Sequence, residues 1–217
     1  MPYSPEHKAK SKDRILNAAT ELFCRFGFEK VSISQIMQRA RMTHGAFYNH
    51  FESKEALYRA TFLEPLKGSR AARLVKGPLS LKHLTALVTH YWNLSEVGRK
   101  ERPGHEMILF NEIGNENAEV RKLFERSYSN LRRMLEVRIT ALSRLNRLPF
   151  EPDREVIAEK ARAILASLVG AVATARSLSD DEERHRILQA TQKQILTMLG
   201  VDGEEFDTLF AGEVAAP

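Results

Sequence analysis

VSISQIMQRARMTHGAFYNHFESKEAL, residues Val31 to Leu57, reads as two short helices, a tight turn and the start of a third. Ser32 followed three residues later by Gln35 is a capping-box pattern, in which hydroxyl and amide each satisfy the other's backbone N–H. It opens a helix whose apolar residues Ile33, Ile36, Met37 and Ala40 recur at helical spacing and which should stop near Arg41 and Met42. Thr43 suits the N-cap of a second helix, His44 to about Phe51, in which Phe47 and Phe51 lie four apart and turn inward together. Ser53 is placed to cap the next helix. Two helices joined by a few residues are the outline of a helix-turn-helix, whose second helix reads the DNA major groove with its N-terminal residues.

The residue detail sharpens that outline. Gly45 and Ala46 keep the first turn of the second helix small, so its backbone can lie against base edges and its N–H groups can approach a phosphate. Tyr48, Asn49 and His50 are polar on the outer side. Lys54 sits in the first turn of the following helix, where the helix dipole favours acidic groups; a nearby phosphate would remove that objection.

The run T-H-G-A-F-Y-N-H-F-x-S-K-E-A-L resembles the signature of the TetR/AcrR family of bacterial one-component regulators. The resemblance is close over about residues 11 to 60 and extends to the rest of the chain only in helical layout. It implies an all-α protein: a three-helix, helix-turn-helix DNA-binding head at residues 9–69, a helical effector-binding and dimerisation body at 70–200, and a short tail at 201–217. Carried over position by position, Ser32, Thr43, Tyr48, His50 and Lys54 would hold phosphates, while His44, Gly45, Ala46 and Asn49 would lie nearest the bases. Asn can read adenine through its paired donor and acceptor, and Ala46 could touch a thymine methyl. One departure stands out. Family members commonly have Ala-Gly where this chain has Ala40-Arg41, at a turn where glycine accepts left-handed angles and arginine does so reluctantly.

Composition narrows the classes. The chain has 217 residues, enough to bury a core without covalent staples. Its one cysteine, Cys24, excludes an internal disulfide framework and clustered-thiol zinc sites, and its place in an apolar helical run reads as a small buried hydrophobe. No apolar run is long enough to span a bilayer and MPYSPEHKAKSKDR lacks the core of a signal peptide, so a cytoplasmic protein is expected. Residues 1–60 hold 10 Lys and Arg against 6 Asp and Glu, so +4 of the formal net charge of +5 falls in the segment that carries the helix-turn-helix.

The first ten residues read as a loose basic arm. From Ser11 to about Phe26 a stripe of Ile15, Leu16, Ala19, Leu22, Phe23 and Phe26 marks a scaffold helix that Gly27 ends, and the stripe should pack on Ile33, Ile36, Phe47 and Phe51. The helix from Ser53 meets Pro65, which should kink or end it. An amphipathic run begins at Ser80, a short segment covers His105 to Ile113, and a long helix runs from about Asn117 to Leu145 with Val120, Phe124, Leu131, Leu135 and Leu142 on one face. The last third reads as a helical hairpin, Asp153 to Ser177 and Glu182 to Leu199. Its first helix is apolar along Ile157, Ala161, Ile164, Leu168, Val172 and Ala175, and small along Ala163, Ala166, Gly170 and Ala173. A helix apolar on two sides must be covered on both, either within one chain or by a second copy in a four-helix homodimer interface as the resemblance implies.

No catalytic group and no cofactor is expected. The seven histidines are scattered without metal-ligand partners, and no carboxylate pair lies where an acid and a base would have distinct environments. For an effector pocket the body offers Tyr91, Trp92, His105, Met107, Phe110, Asn111 and Tyr128, aromatic walls with few polar anchors that suit a small hydrophobic ligand. The reading is therefore a regulator, most simply a repressor, that binds a palindromic operator as a dimer and is released by a small molecule. Two alternatives remain: a helical ligand-binding or enzyme-like protein whose helix-turn-helix is structural, and a non-specific architectural DNA binder.

Overall fold

A computed structural model describes residues 5–62 and 105–201. Every regular element among them is helical. In chain order these are α1 (Pro5–Phe26), α2 (Ile33–Arg39), a 3-10 helix (His44–Asn49), α3 (Lys54–Phe62), α4 (His105–Asn111), α5 (Ala118–Arg144), α6 (Arg154–Ser177) and α7 (Asp181–Met198). The chain divides into two compact units, one made of Met1–Arg73 with Leu94–Tyr128 and the other of Leu74–Asn93 with Ser129–Pro217. The Pro65 kink, the run from Ser80, Tyr91, Trp92 and the tail after Gly203 lie outside the described residues.

In the first unit, α1 packs on α2, α3 and α4. Ile15, Ala19 and Phe23 of its stripe are wholly buried, and Phe23, Phe28, Tyr58 and Phe62 form one aromatic cluster with ring centroids 4.7–6.4 Å apart. Each such ring contributes on the order of 2 kcal/mol by leaving water. Two expectations fail here. The first ten residues are not a loose arm throughout, because α1 starts at Pro5, where a proline loses no intrahelical donor. Phe26 is not core but 44% exposed: Gly27, at φ +77°, turns the chain so that Phe28 enters the cluster instead, and Phe26 rests under the Arg25 guanidinium.

The second unit contains the remainder of α5 and the hairpin of α6 and α7. Both hairpin helices start on aspartates: Asp153 accepts from the N–H groups of Glu155 and Val156, and Asp180 from those of Glu182 and Glu183. Lys160, near the start of α6, donates to the Met198 carbonyl at the end of α7, so the two run antiparallel. The predicted apolar stripe of α6 is buried throughout. Ala163, Ala166 and Gly170 on its opposite face are exposed, and a Cβ at Gly170 would meet nothing within 4 Å.

Candidate nucleic-acid interface

The tip that the sequence marked out is assembled from short-range bonds. The capping box at the start of α2 is formed: the Gln35 N–H reaches the Ser32 hydroxyl at 3.2 Å and the Ser32 N–H reaches the Gln35 side chain at 2.8 Å. At the other end Arg41 takes the left-handed conformation, φ 53°, and the Met42 N–H closes back on the Met37 carbonyl at 2.9 Å. This is where glycine would be easy. The chain holds arginine there by a clamp from outside the turn, since Arg14 of α1 donates to the carbonyls of both Ala40 and Arg41.

The segment after the turn is a 3-10 helix over His44–Asn49 rather than the α-helix to Phe51 read from the sequence. Thr43 has the extended backbone of an N-cap but makes no side-chain capping bond. The reason is local: the Ala46 N–H, the usual target of a capping side chain, is taken at 3.1 Å by Thr43's own carbonyl in the tighter i to i+3 pattern. Behind this tip, Phe47 is wholly buried and Phe51 is 7% exposed, their rings 5.9 Å apart. In front, Thr43, His44, Gly45, Tyr48 and Asn49 are exposed, Tyr48 to 58%, while Ala46 and His50 are half-buried. His44 and Tyr48 lie ring to ring at 5.9 Å, so they share a face. A Cβ on Gly45 would meet nothing within 4 Å, and its φ is not in the left-handed region. The protein itself therefore gives no reason for a glycine there.

Charge around the tip is uneven. Burial, then Lys8, then Lys12 push the His50 imidazole below its ordinary pKa. Lys54 is half-buried and its ammonium donates to the Phe28 and Val31 carbonyls, both at 3.0 Å, while sitting 4.0 Å from the centre of the Phe28 ring. Two of its three protons are thus committed to the loop before α2, which resolves the puzzle of a lysine in a first helical turn. Ser53 caps α3 through the Ala56 N–H, and Glu55 in the same turn is held below the usual carboxylate range chiefly by a backbone N–H.

The sequence reading missed the group that ties this head together. Glu112, 4% exposed, accepts from the Phe28 N–H and the Tyr58 hydroxyl through one oxygen, both at 2.8 Å, and from the Asn115 amide through the other at 2.7 Å. Burial, then the charge of Glu112 and its hydrogen bond, raise the Tyr58 hydroxyl well above the usual phenol range. Asn111 donates to the Phe23 and Cys24 carbonyls at the end of α1, and Asn117 caps α5 while meeting Glu55. A carboxylate interrupting the apolar run MILFNEIG was the available signal.

Phe110 is buried, Asn111 is engaged with α1 as described, and Tyr128 is half-buried. His105 and Met107 lie on α4. Among the described residues no group of three or more His, Cys, Asp and Glu side chains could hold a metal ion, and no helix is long and apolar enough to cross a membrane.

Comparison with known proteins bears on the same segment. Residues 15–61 match the family model described as bacterial regulatory proteins, tetR family. The A-factor receptor protein of Streptomyces griseus is 48% identical over 46 residues, 21% of this chain and 17% of the relative. The HTH-type transcriptional regulator UidR of Escherichia coli K12 is 43% identical over 54 residues, 25% of this chain and 28% of the relative. This chain thus spans under a third of the length of either. Over the fold, Salmonella enterica GusR superposes with a TM-score of 0.64 at 21% identity, covering 92% of this chain and 98% of that one.

Proposed function

We propose, from the match of residues 15–61 to the model of the tetR family of bacterial regulatory proteins, that the chain is a ligand-responsive, sequence-specific DNA-binding regulator, a repressor acting as a homodimer on a palindromic operator. One observation carries the reading: a tip with no internal need for its glycine presents that glycine, a threonine, a histidine, a tyrosine and an asparagine outward from two buried phenylalanine rings. Small residues with open space in front are what close approach of a backbone to base edges requires.

In this proposal residues 9–69 are the DNA-binding domain and 70–200 the effector-binding and dimerisation body. His44, Gly45, Ala46 and Asn49 face the bases. Ser32, Thr43, Tyr48 and His50 hold phosphates, and Lys54, with one proton left over, completes that set while fixing the loop behind it. The exposed small face of α6 is the surface that a second copy covers, and Tyr91, Trp92, His105, Met107, Phe110, Asn111 and Tyr128 are the residues to which an effector is assigned. Two heads about 34–36 Å apart enter successive major grooves, and the effector releases DNA only by as much as it prefers a different head spacing.

The test is selection of bound fragments from a random DNA pool, followed by titration of the selected and a scrambled fragment at matched salt. A two-fold-symmetric consensus bound at least a hundredfold more tightly than the scramble is expected for specific recognition. Equal titration of both would reduce the protein to a general DNA coat.

A further inference from the structure

The first three turns of α1 carry a cationic surface that the reading of the tip does not use. Lys8 and Lys12 are four residues apart, so they share one side of the helix, and both are exposed. Lys12 reaches across to the tip segment: its ammonium is 5.7 Å from the centre of the Phe51 ring, next to His50. Glu6 pairs with Lys10 at 2.7 Å, about 200° around the helix from Lys8 and Lys12. Arg14 is spent on the Ala40 and Arg41 carbonyls. Asp13 stands about 100° away from Lys12 on the helix wheel. Among the described residues Lys8 and Lys12 have no ion-pair partner.

We propose that Lys8 and Lys12 of α1, with His50 at the end of the tip, form a second phosphate-binding seat that grips the DNA backbone beside the major-groove contact. This inference rests on the proposed DNA binding and extends it to a helix outside the helix-turn-helix. Burial first, and then the charges of Lys8 and Lys12, disfavour protonation of His50, and with Lys12 placed against the neighbouring Phe51 ring three positive or potentially positive groups converge. An anion is the partner that relieves such a cluster. A phosphodiester backbone is favoured over a free anion because the seat adjoins the exposed Tyr48 and Asn49 and extends along a turn of helix instead of closing around a point. The contact carries no sequence information and sets register and salt dependence.

The experiment compares the full-length protein with Lys8→Ala/Lys12→Ala on the selected fragment and on its scramble, over a salt series. Each lysine that neutralises a phosphate contributes about 0.9 to the slope of log affinity against log salt, so the double variant should lose about 1.8 per bound head. At 0.1 M salt that is a loss of roughly 60-fold per head, equal on both fragments. The Lys8→Arg/Lys12→Arg variant should restore the wild-type slope. An unchanged slope, or a loss confined to the selected fragment, overturns the proposal while leaving the regulator reading intact. Failure of the wild type to bind any DNA would instead remove the regulator reading itself. Both lysines are exposed, and a thermal melt of each variant matching wild type separates lost contact from lost fold.

Discussion

Two sets of polar groups in the first unit are built in opposite ways. Around Glu112 a buried carboxylate is matched by donors from three places, the Phe28 backbone, the Tyr58 hydroxyl and the Asn115 amide. Around His44–Asn49 the polar side chains are exposed, and Thr43, at the usual capping position, makes no capping bond. Buried polar groups must be satisfied within the fold, so the first set reports on stability; exposed groups on a tip propped by Phe47 and Phe51 report on what lies outside. The same distinction separates residues by expected phenotype, since changes at the joint should unfold the protein and changes at the tip should leave it folded and idle.

The sharpest way to break that comparison is Glu112→Ala. It leaves the Phe28 N–H and the Tyr58 hydroxyl buried without an acceptor, and at about 1–3 kcal/mol per orphaned group the loss should be on the order of 3 kcal/mol. Chemical denaturation of the full chain measures it, and a loss below 0.5 kcal/mol would mean the joint is ornamental. Lys54→Met comes next. It retains the apolar stem over Phe28 but withdraws two donors from the Phe28 and Val31 carbonyls. A cost of about 2 kcal/mol is expected, because hydrogen bonds to a charged donor lie at the strong end of the range. If Lys54→Met abolishes DNA binding with no change in melting, its remaining proton matters more than the two held by the Phe28 and Val31 carbonyls.

How much of this could be read from the chain follows from the range of each interaction. The capping box and the Ser53 cap were legible because their partners lie three residues away. The buried rings behind the tip were legible from their four-residue spacing. The 3-10 form of the tip was not, since over six residues it differs from an α-helix only in which carbonyl each N–H chooses. Nor was Glu112, which stands 84 residues from Phe28 and 54 from Tyr58; nothing in its neighbourhood names those partners. The reluctance of Arg41 was visible, but the Arg14 clamp that overcomes it joins residues 26 and 27 apart.

Tyr58 adds a pH axis to the comparison. Its hydroxyl titrates higher in the folded than in the unfolded chain, so the folded state holds that proton more tightly. The resulting stability is complete below about pH 10, the ordinary phenol value, and drains away as pH rises toward the folded value. Tyr58→Phe should cost about 1 kcal/mol at neutral pH through the lost bond to Glu112 and flatten the alkaline decline. An equally steep decline in the variant would assign it to other groups. Arg41→Gly tests the turn: glycine takes φ 53° without a Cβ clash, and a gain of up to about 1 kcal/mol is expected from relieved strain, less whatever unfolded-chain entropy glycine adds.

The smallest effect on stability should accompany the largest effect on function, at Gly45. A side chain there meets nothing of the protein within 4 Å and the backbone is already acceptable to any residue, so Gly45→Gln should alter stability by less than about 0.5 kcal/mol. A duplex laid against the tip would meet that glutamine at once, and specific binding should disappear while the melt stays at the wild-type temperature. Were Gly45→Gln to unfold the protein, the open space would be filled by something of the chain itself and the tip would belong with the joint. Were it to bind the selected fragment unchanged, the tip would not face bases, and the glycine that led the argument to DNA would have lost its reason.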